Sequence, residues 1–392
     1  MMVVDFLLIA AAILLLIPVI VIFAQVISAF LANPREFVST PNKISIAVLV
    51  PAHNEEAGIA ITINSVLLQL KSGDRLLVVA DNCTDHTARI AAENGAEVIE
   101  RHDLDNRGKG YALDFGLRFL AQNPPDVVVI IDADCHVQVN AFSKLVAYSV
   151  HHDRPVQCLY LMLTPEGAGL KTKIAEFAWV VKNQVRPLGY AKLGLPCQLM
   201  GTGMAFPWTI ISNANLANGN IVEDMKLGID LAKSGKAPLF YADALVTSYF
   251  PNTSDALSVQ RTRWEHGHMS MILSQLPQMF VQGIIKSNKD LLAMALDLCV
   301  PPLALLVVML SGFMLLTALA FIMGVSSLPL QISLASLVLL ALSILLAWWG
   351  WARHVISPTT FLLIPFYVLS KIPHYLKFLF KRQKQWVRTD RK

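Results

Sequence analysis

Apolar and polar positions follow several different patterns along this chain, and each predicts a different kind of element. Residues 6–24 and 298–352 carry no charged side chain. An α-helix needs about 20 apolar residues to cross a bilayer, so the first stretch predicts one span and the second predicts two. The segment GVSSLP at 324–329 breaks the second stretch into a hairpin, leaving over 299–323 and returning by 351. Between these stretches lie short apolar runs at 44–50, 75–80, 97–100 and 127–131, alternating with helical spacing over 57–70, 85–94 and 111–120. This alternation predicts an α/β fold, a parallel sheet with helices on both faces. Three of the strands run into polar residues: PAHNEE at 51–56, DNCTD at 81–85 and DADC at 132–135. Open α/β sheets bind ligands at the carboxyl ends of their strands, so these three loops are expected to converge on one site.

The 127–131 run ends in two carboxylates, Asp132 and Asp134. Strand alternation would aim both the same way, past the small Ala133. Two hard oxygen ligands in one cleft suit Mg²⁺ or Mn²⁺ shared with a substrate diphosphate. Asp224 opens a helical stretch, VEDMKLGIDLAKSG, where an acid can do no more than stabilise the helix N-terminus by about 0.3–1 kcal/mol. QRTRWEHGH at 260–268 reads two ways as well. It could anchor a helix at the membrane surface, or it could offer an arginine fork to phosphate and an indole face to a sugar. His266 and His268 are two apart and do not share a helical face, so they predict no second metal site. There is no GxGxxG after the first strand and no GxxxxGK[ST] anywhere, so dinucleotide and P-loop readings are unsupported.

Composition sharpens the membrane reading. Hydrophobic residues make up 55% and charged residues 15%, and the mean hydropathy is +0.52, outside the range of a soluble enzyme. The first apolar stretch has Asp5 before it and Arg35 and Lys43 after it, which predicts an uncleaved anchor with the N-terminus outside. Trp348, Trp349 and Trp351 beside Arg353 predict an interfacial belt. After Lys371 the tail carries Lys377, Lys381, Arg382, Lys384, Arg388, Arg391 and Lys392 against Asp390 alone, so it belongs on the cytoplasmic side. The segment 361–369 is short and interrupted by Pro365, and is read as interfacial rather than as a fourth span. The net charge of +4 sits mostly in this tail, which points to anionic membrane lipid and not to nucleic acid. The five cysteines have no CxxC or Cys/His spacing and are read as reduced cytosolic thiols.

The motifs PAHNEE, ADNCTD, NRGKGYAL (106–113), DADC, MGTG (200–203), VED (222–224) and QRTRW (260–264) occur in the order found in membrane-bound family-2 glycosyltransferases. The chain thus resembles the cellulose, hyaluronan and poly-N-acetylglucosamine synthase group over residues 44–268 and the helices that follow. The resemblance implies a GT-A fold, a Rossmann-like, mostly parallel sheet. It also implies a domain plan: anchor 1–32, linker 33–43, catalytic domain 44–270, interfacial helical segment 271–298, transmembrane hairpin 299–351, and interfacial segment with basic tail 352–392. By position, Pro51, Ala52 and Glu55 would hold the uracil and ribose, Asp81 would read the uracil ring, and Lys109 would lie near the nucleotide. Asp132 and Asp134 would bind metal and diphosphate, and Asp224 would be the general base. Gly201, Thr202, Gly203 and Trp264 would meet the acceptor, Arg263 would bind the leaving diphosphate, and Gln260 belongs to the same catalytic motif. The chain departs from the family's usual Asp-Asp-Gly-Ser, having Ala80-Asp81-Asn82-Cys83, and from its common tyrosine, having His53.

Transfer from a nucleotide sugar needs a cation for the leaving diphosphate, a base for the attacking hydroxyl, and exclusion of water. The expected activity is inverting β-transfer, to a growing polysaccharide or lipid-linked acceptor, at the cytoplasmic face of a bacterial inner membrane. A single transfer to a polyprenyl- or glycerol-lipid is the alternative. Having about three spans favours that alternative, or an export or polymerisation partner subunit. A nucleotidyltransferase would want a basic, glycine-rich loop where PAHNEE stands, and a membrane scaffold would need none of DAD, ED and RW.

Overall fold

The computed structural model describes residues 2–31, 44–217 and 219–380. The linker 33–43 and the tail beyond 380 lie outside the described residues. In chain order the elements are α1 (Met2–Ala29), β1 (Ile46–Ala52), α2 (Ile59–Leu67), β2 (Arg75–Asp81), α3 (Thr87–Glu93), β3 (Glu97–Arg101), α4 (Lys109–Leu120), β4 (Val127–Ile130), β5 (His136–Val137), α5 (Ala141–His152), β6 (Val156–Leu163) and α6 (Leu170–Val180). A π-helical turn, Val181–Val185, leads into α7 (Arg186–Lys192), β7 (Met204–Pro207), α8 (Trp208–Ile211), α9 (Glu223–Lys233) and β8 (Leu239–Tyr249). The helices α10 (Ser254–Ile285), α11 (Lys289–Leu298), α12 (Leu303–Ile322), α13 (Leu328–Ala347), α14 (Ile364–Ser370) and α15 (Ile372–Phe380) complete the fold.

The eight strands form one sheet in the order β3-β2-β1-β4-β7-β6-β8-β5. Its first half is parallel, as the alternation of β and α units requires: β1 lies between β2 and β4, with Leu49 opposite Leu77 on one side and Ile130 on the other. These strands are apolar on both faces because helices cover both; Val48, Leu49, Val78, Val79, Val128 and Val129 are fully buried. The second half is where the expected mostly parallel sheet turns mixed, because β7 runs antiparallel to both β4 and β6. The cause is the loop that feeds it. Gly203 N–H donates to Ile130 O at 2.9 Å and Gly203 O accepts from Cys158 N–H at 2.8 Å, so the chain enters β7 from the carboxyl edge of β4 and must run back along it. The fold class stands as a mixed, Rossmann-like α/β sheet.

Two local expectations also shift. The first strand extends to Ala52, so Pro51 and Ala52 belong to β1 and not to the loop after it. The strand β4 stops at Ile130, so residues 132–134 lie in a turn where strand alternation no longer governs direction.

Among the described residues three helices are long and apolar enough to cross a membrane: Met2–Ala29, Leu303–Ile322 and Leu328–Ala352. The segment 361–369 is not among these; it forms a 3₁₀ turn, Pro358–Leu363, followed by α14. The first of the three, α1, docks on the catalytic half. Gly189 on α7 lets it in, since a Cβ there would come within 1.8 Å of Gln25 O. Beside it a buried Arg186 donates through Nε to Gln25 Oε1 (2.9 Å) and through Nη2 to Asp297 Oδ1 (2.8 Å), and Gln25 Nε2 donates to the same carboxylate (2.7 Å). At the far end of the chain, Glu265 on α10 holds the last helices through Lys371 (3.4 Å) and His374 (3.0 Å), with Arg261 at 3.8 Å. Burial works to raise the Glu265 carboxyl, but these neighbours outweigh it and hold it at about 2.

Candidate active site

The loops after β1, β2 and β4 lie side by side at one sheet edge, as the order β2-β1-β4 dictates. They are cross-tied: Thr84 N–H donates to Asn54 Oδ1 (2.7 Å), Asn54 Nδ2 donates to Thr84 Oγ1 (3.1 Å), and Thr62 Oγ1 donates to Ala133 O (2.8 Å). Asn54 and Asn82 take left-handed backbone conformations, φ 55° and 51°, which short amide side chains tolerate. Asp81 at the end of β2 is 6% exposed and accepts from Arg101 Nη1 (2.7 Å) and Asn82 Nδ2 (3.0 Å). The departure Asn82 has a structural use, because its amide also donates to Asp103 O and accepts from Asp103 N–H, fastening the 103–106 loop. His53 Nδ1 donates to Asp81 O at 2.6 Å. Glu55 is placed by its backbone N–H on Thr87 Oγ1 (2.7 Å).

Next to this edge a cavity brings together Lys109, Asp132, Gly201, Asp224, Arg263 and Trp264. Lys109, the first residue of α4, bonds Asp132 Oδ1 and donates to Gly201 O at 2.7 Å. Asp132 is oriented from behind, its backbone N–H donating to Thr202 Oγ1 at 2.9 Å. The left-handed Gly201 (φ 90°) keeps the space between the elements open; a Cβ there would sit 3.4 Å from Asp224 Oδ2 and 3.5 Å from Lys109 Nζ. Arg263 and Trp264 reach the cavity from α10, and the Trp264 ring lies 4.8 Å from that of Trp179.

The other expected residues are elsewhere. Pro51, Ala52, Glu55 and Asp81 stay at the strand edge beside the cavity and do not line it. Asp134 does not line it either; its Oδ1 lies 3.8 Å from the Cys135 thiol. Thr202, Gly203 and Gln260 are packed behind the wall, and Gln260 is fully buried. Three lining residues carried no motif, namely Lys182, Asn183 and Arg186 from the π-turn and α7, and Glu223 of VED was given no role. Two cations four apart, Lys182 and Arg186, were a sign of the first group in the sequence.

The cavity packs carboxylates against cations. Burial pushes Glu223 up to about 7, the Asp224 charge adds to this, and Lys109 opposes it. Burial raises Asp224 also, against the pull of Lys109 and Lys182. For Lys109 burial works against the charge, but Asp132, Glu223 and Asp224 prevail and hold its ammonium above the ordinary value. Burial lowers Arg263, with the same three carboxylates opposing. His268 is kept neutral, at about 3, by burial and by the nearby Lys182 and Arg186, and its Nε2 donates to Leu298 O at 3.3 Å.

Hard oxygen donors at Asp132 and Asp134 suit Mg²⁺ or Mn²⁺. No cluster of three His, Cys, Asp or Glu ligands occurs among the described residues. A divalent ion here would therefore complete its shell from substrate oxygens and water, as Mg²⁺ does at phosphate-handling sites.

Comparison with known proteins agrees with this geometry. A probable glycosyltransferase from Bacillus subtilis, YdaM, is 27% identical over 245 residues, 60% of this chain and 58% of its own length. The 4,4'-diaponeurosporenoate glycosyltransferase of Staphylococcus aureus is 31% identical over 123 residues, 30% of this chain and 32% of that one. The chain thus spans well under two thirds of the curated relatives it matches. Among solved structures, the mannosyltransferase PcManGT from Pyrobaculum calidifontis, in complex with GDP-Man and Mn²⁺, shares the fold with a TM-score of 0.54 at 16% identity, over 96% of this chain and all of that one. The family described as "Glycosyltransferase like family 2" matches residues 41–267, more than half of the chain, and the protein belongs to that family of glycosyltransferases.

Proposed function

We propose that this protein is an inverting β-glycosyltransferase that moves a sugar from a nucleotide donor, UDP-linked by the motif match, to a polysaccharide or lipid-linked acceptor at the inner face of a membrane. The observation that carries this reading is the meeting of Asp224, Asp132, Lys109, Arg263 and Trp264 around one cavity at the carboxyl edge of the sheet. The nucleotide lies along the strand edge, against Pro51, Ala52, Glu55 and Asp81, with its diphosphate toward Asp132, Lys109 and Arg263. Asp132 and Asp134 would hold Mg²⁺ or Mn²⁺, which when bound neutralises charge on the leaving diphosphate. Trp264 offers an aromatic face to the acceptor beside Gly201.

Asp224 takes the proton of the attacking hydroxyl. Burial raises this carboxyl above the ordinary range, and a carboxylate so raised is a better base than an ordinary one. The hydroxyl oxygen attacks the anomeric carbon opposite the diphosphate, and the bond to the diphosphate breaks with its electron pair. No glycosyl–enzyme intermediate is needed. Arg263 forks onto the leaving phosphates, where a guanidinium offers paired donors.

The experiment is turnover by membranes or detergent-purified protein with a panel of UDP- and GDP-sugars and Mg²⁺ or Mn²⁺. Asp224→Asn is expected to lower transfer by roughly 10²–10⁴ with nucleotide binding near wild type. Trp264→Ala is expected to weaken acceptor use while slow donor hydrolysis persists. Normal turnover by Asp224→Asn would move the base to Glu223 and leave Asp224 as a helix-terminus acid.

The sign of the pH dependence follows from the base. It must be deprotonated, and burial raises both acids, so the acid limb of kcat is expected above the ordinary carboxylate range, with the rate falling as pH drops through that limb. Glu223→Gln removes a neighbouring negative charge and is expected to move that limb to lower pH. A rate that stays flat down to the ordinary carboxylate range would contradict the assignment.

The proposed orientation puts the N-terminus outside and the basic tail inside, with three spans. A reporter after Lys392 is expected to read cytoplasmic and one before Met1 periplasmic; a periplasmic tail would require a fourth span.

A further inference from the structure

The catalytic cavity does not end at the sheet. Trp179, Lys182, Arg186, Trp264 and His268 line it on one side and on the other line a second, apolar groove. The walls of that groove are Ile174 and Phe177 of α6, Leu303 and Val307 at the start of α12, and Ile344 near the end of α13. Both α12 and α13 are candidate spans, and these residues sit at the one end of the hairpin where it leaves and re-enters the catalytic half. The groove therefore joins the reacting centre to the zone where a bilayer would begin.

Two polar side chains at the junction have no hydrogen-bond partner among the described residues. Asn183 lines the catalytic cavity and is 1% exposed, yet neither its Nδ2 nor its Oδ1 has a hydrogen-bond partner among the described residues. A buried amide left unmet is costly, and a ligand's hydroxyl or carbonyl groups would meet it. Lys182, its neighbour, makes no hydrogen bond or ion pair among the described residues; the Trp179 ring, 5.6 Å away, is its contact. Both sit on the π-helical turn Val181–Val185, and such turns re-aim side chains that a regular helix would place elsewhere.

We infer that the acceptor is a membrane lipid with a hydroxyl-bearing head, the head held by Asn183 and Lys182 beside Asp224 and the hydrocarbon chain lying in the apolar groove. This rests on the proposed transfer reaction and names its acceptor class. A sugar polymer fits the groove poorly. Ile174, Phe177, Leu303, Val307 and Ile344 offer no hydrogen bonds, and sugar hydroxyls buried against them would go unpaired; Arg261, Glu265, Tyr367 and Tyr375 are polar members of an otherwise largely apolar lining. A hydrocarbon chain incurs no such cost and reaches the groove directly from the bilayer. In the reaction the head's O–H oxygen bonds to the anomeric carbon, the bond to the diphosphate breaks with its electrons, and the proton passes to Asp224. The products are one glycolipid and one nucleoside diphosphate.

The test uses full-length protein in detergent with two photoactivatable probes carrying a diazirine in the chain, a diacylglycerol and a long-chain prenol. Crosslinks from at least one probe are expected on Phe177 and on 303–307 and 344, reduced at least tenfold in Val307→Trp and Ile344→Trp. A nucleotide-induced rise in melting temperature serves as the folding check on both variants. With a labelled nucleotide sugar, product is expected in the butanol phase as one sugar per lipid, and Asn183→Leu is expected to raise KM for lipid more than it lowers kcat. Crosslinks spread over the outer faces of the helices and indifferent to the groove variants overturn the inference, as does label found only in water-soluble or ethanol-insoluble polymer. If groove crosslinking holds while Asp224→Asn transfers normally, the base assignment fails and the lipid groove stands. If Asp224→Asn is dead and the groove variants glycosylate lipid like wild type, the groove fails and the base stands.

Discussion

One buried guanidinium joins the membrane part of this protein to its catalytic part. Arg186, 6% exposed, is bound at once by Gln25 of the first candidate span and by Asp297 at the foot of the hairpin. Removing one partner of a buried pair leaves the other charge uncompensated, at about 3–5 kcal/mol. The three elements are therefore fixed together, and the π-turn before Arg186 is fixed with them. Lys182, Asn183 and Trp179 inherit their positions from this lock. The cavity wall is thus made of helices that also touch the candidate spans, and the proposed function sets the acceptor on that side and the nucleotide at the sheet edge.

The site itself is an arrangement of charge made workable by desolvation. Glu223, Asp224 and Asp132 share one cavity, and carboxylates placed together in a low-dielectric space resist full ionisation. Lys109 and Arg263 compensate enough to keep them usable. Thr202 and the turn of Gly201 set Asp132 against Lys109, so MGTG, expected as an acceptor motif, also positions Asp132. Substrate diphosphate would enter a site already balanced between the two signs and would tip that balance toward Arg263 and Lys109.

Much of this was legible in the residues. Hydrophobic runs marked β1, β2, β3 and β4 within one or two residues, and uncharged stretches marked the three candidate spans, because burial on both faces and burial in lipid leave long-wavelength patterns. Helix α9 was legible from its acidic start and its spacing. The antiparallel β7 was not, since four residues between two loops carry no direction; only the hydrogen bonds of Gly203 fix it. Strand alternation did not bear on Asp132 and Asp134, because β4 ends at Ile130; Asp132 lines the cavity and Asp134 is not part of its lining. Arg101 on Asp81, and Gln25 and Asp297 on Arg186, join positions 20, 161 and 111 residues apart. No local pattern encodes such pairs. The amide of Asn183 could be recognised as unmet only once its surroundings were known.

The central claim is direct displacement at the anomeric carbon by an acceptor oxygen whose proton goes to a carboxylate of α9. The stereochemistry of the product tests it most directly. With an α-linked nucleotide sugar labelled with carbon-13 at the anomeric position, the one-bond carbon–proton coupling of the isolated product reports its configuration. The account predicts a β-linked product from the first turnover onward. An α-linked product would require a covalent glycosyl–enzyme intermediate or front-face attack, and would contradict the mechanism whatever the acceptor proves to be.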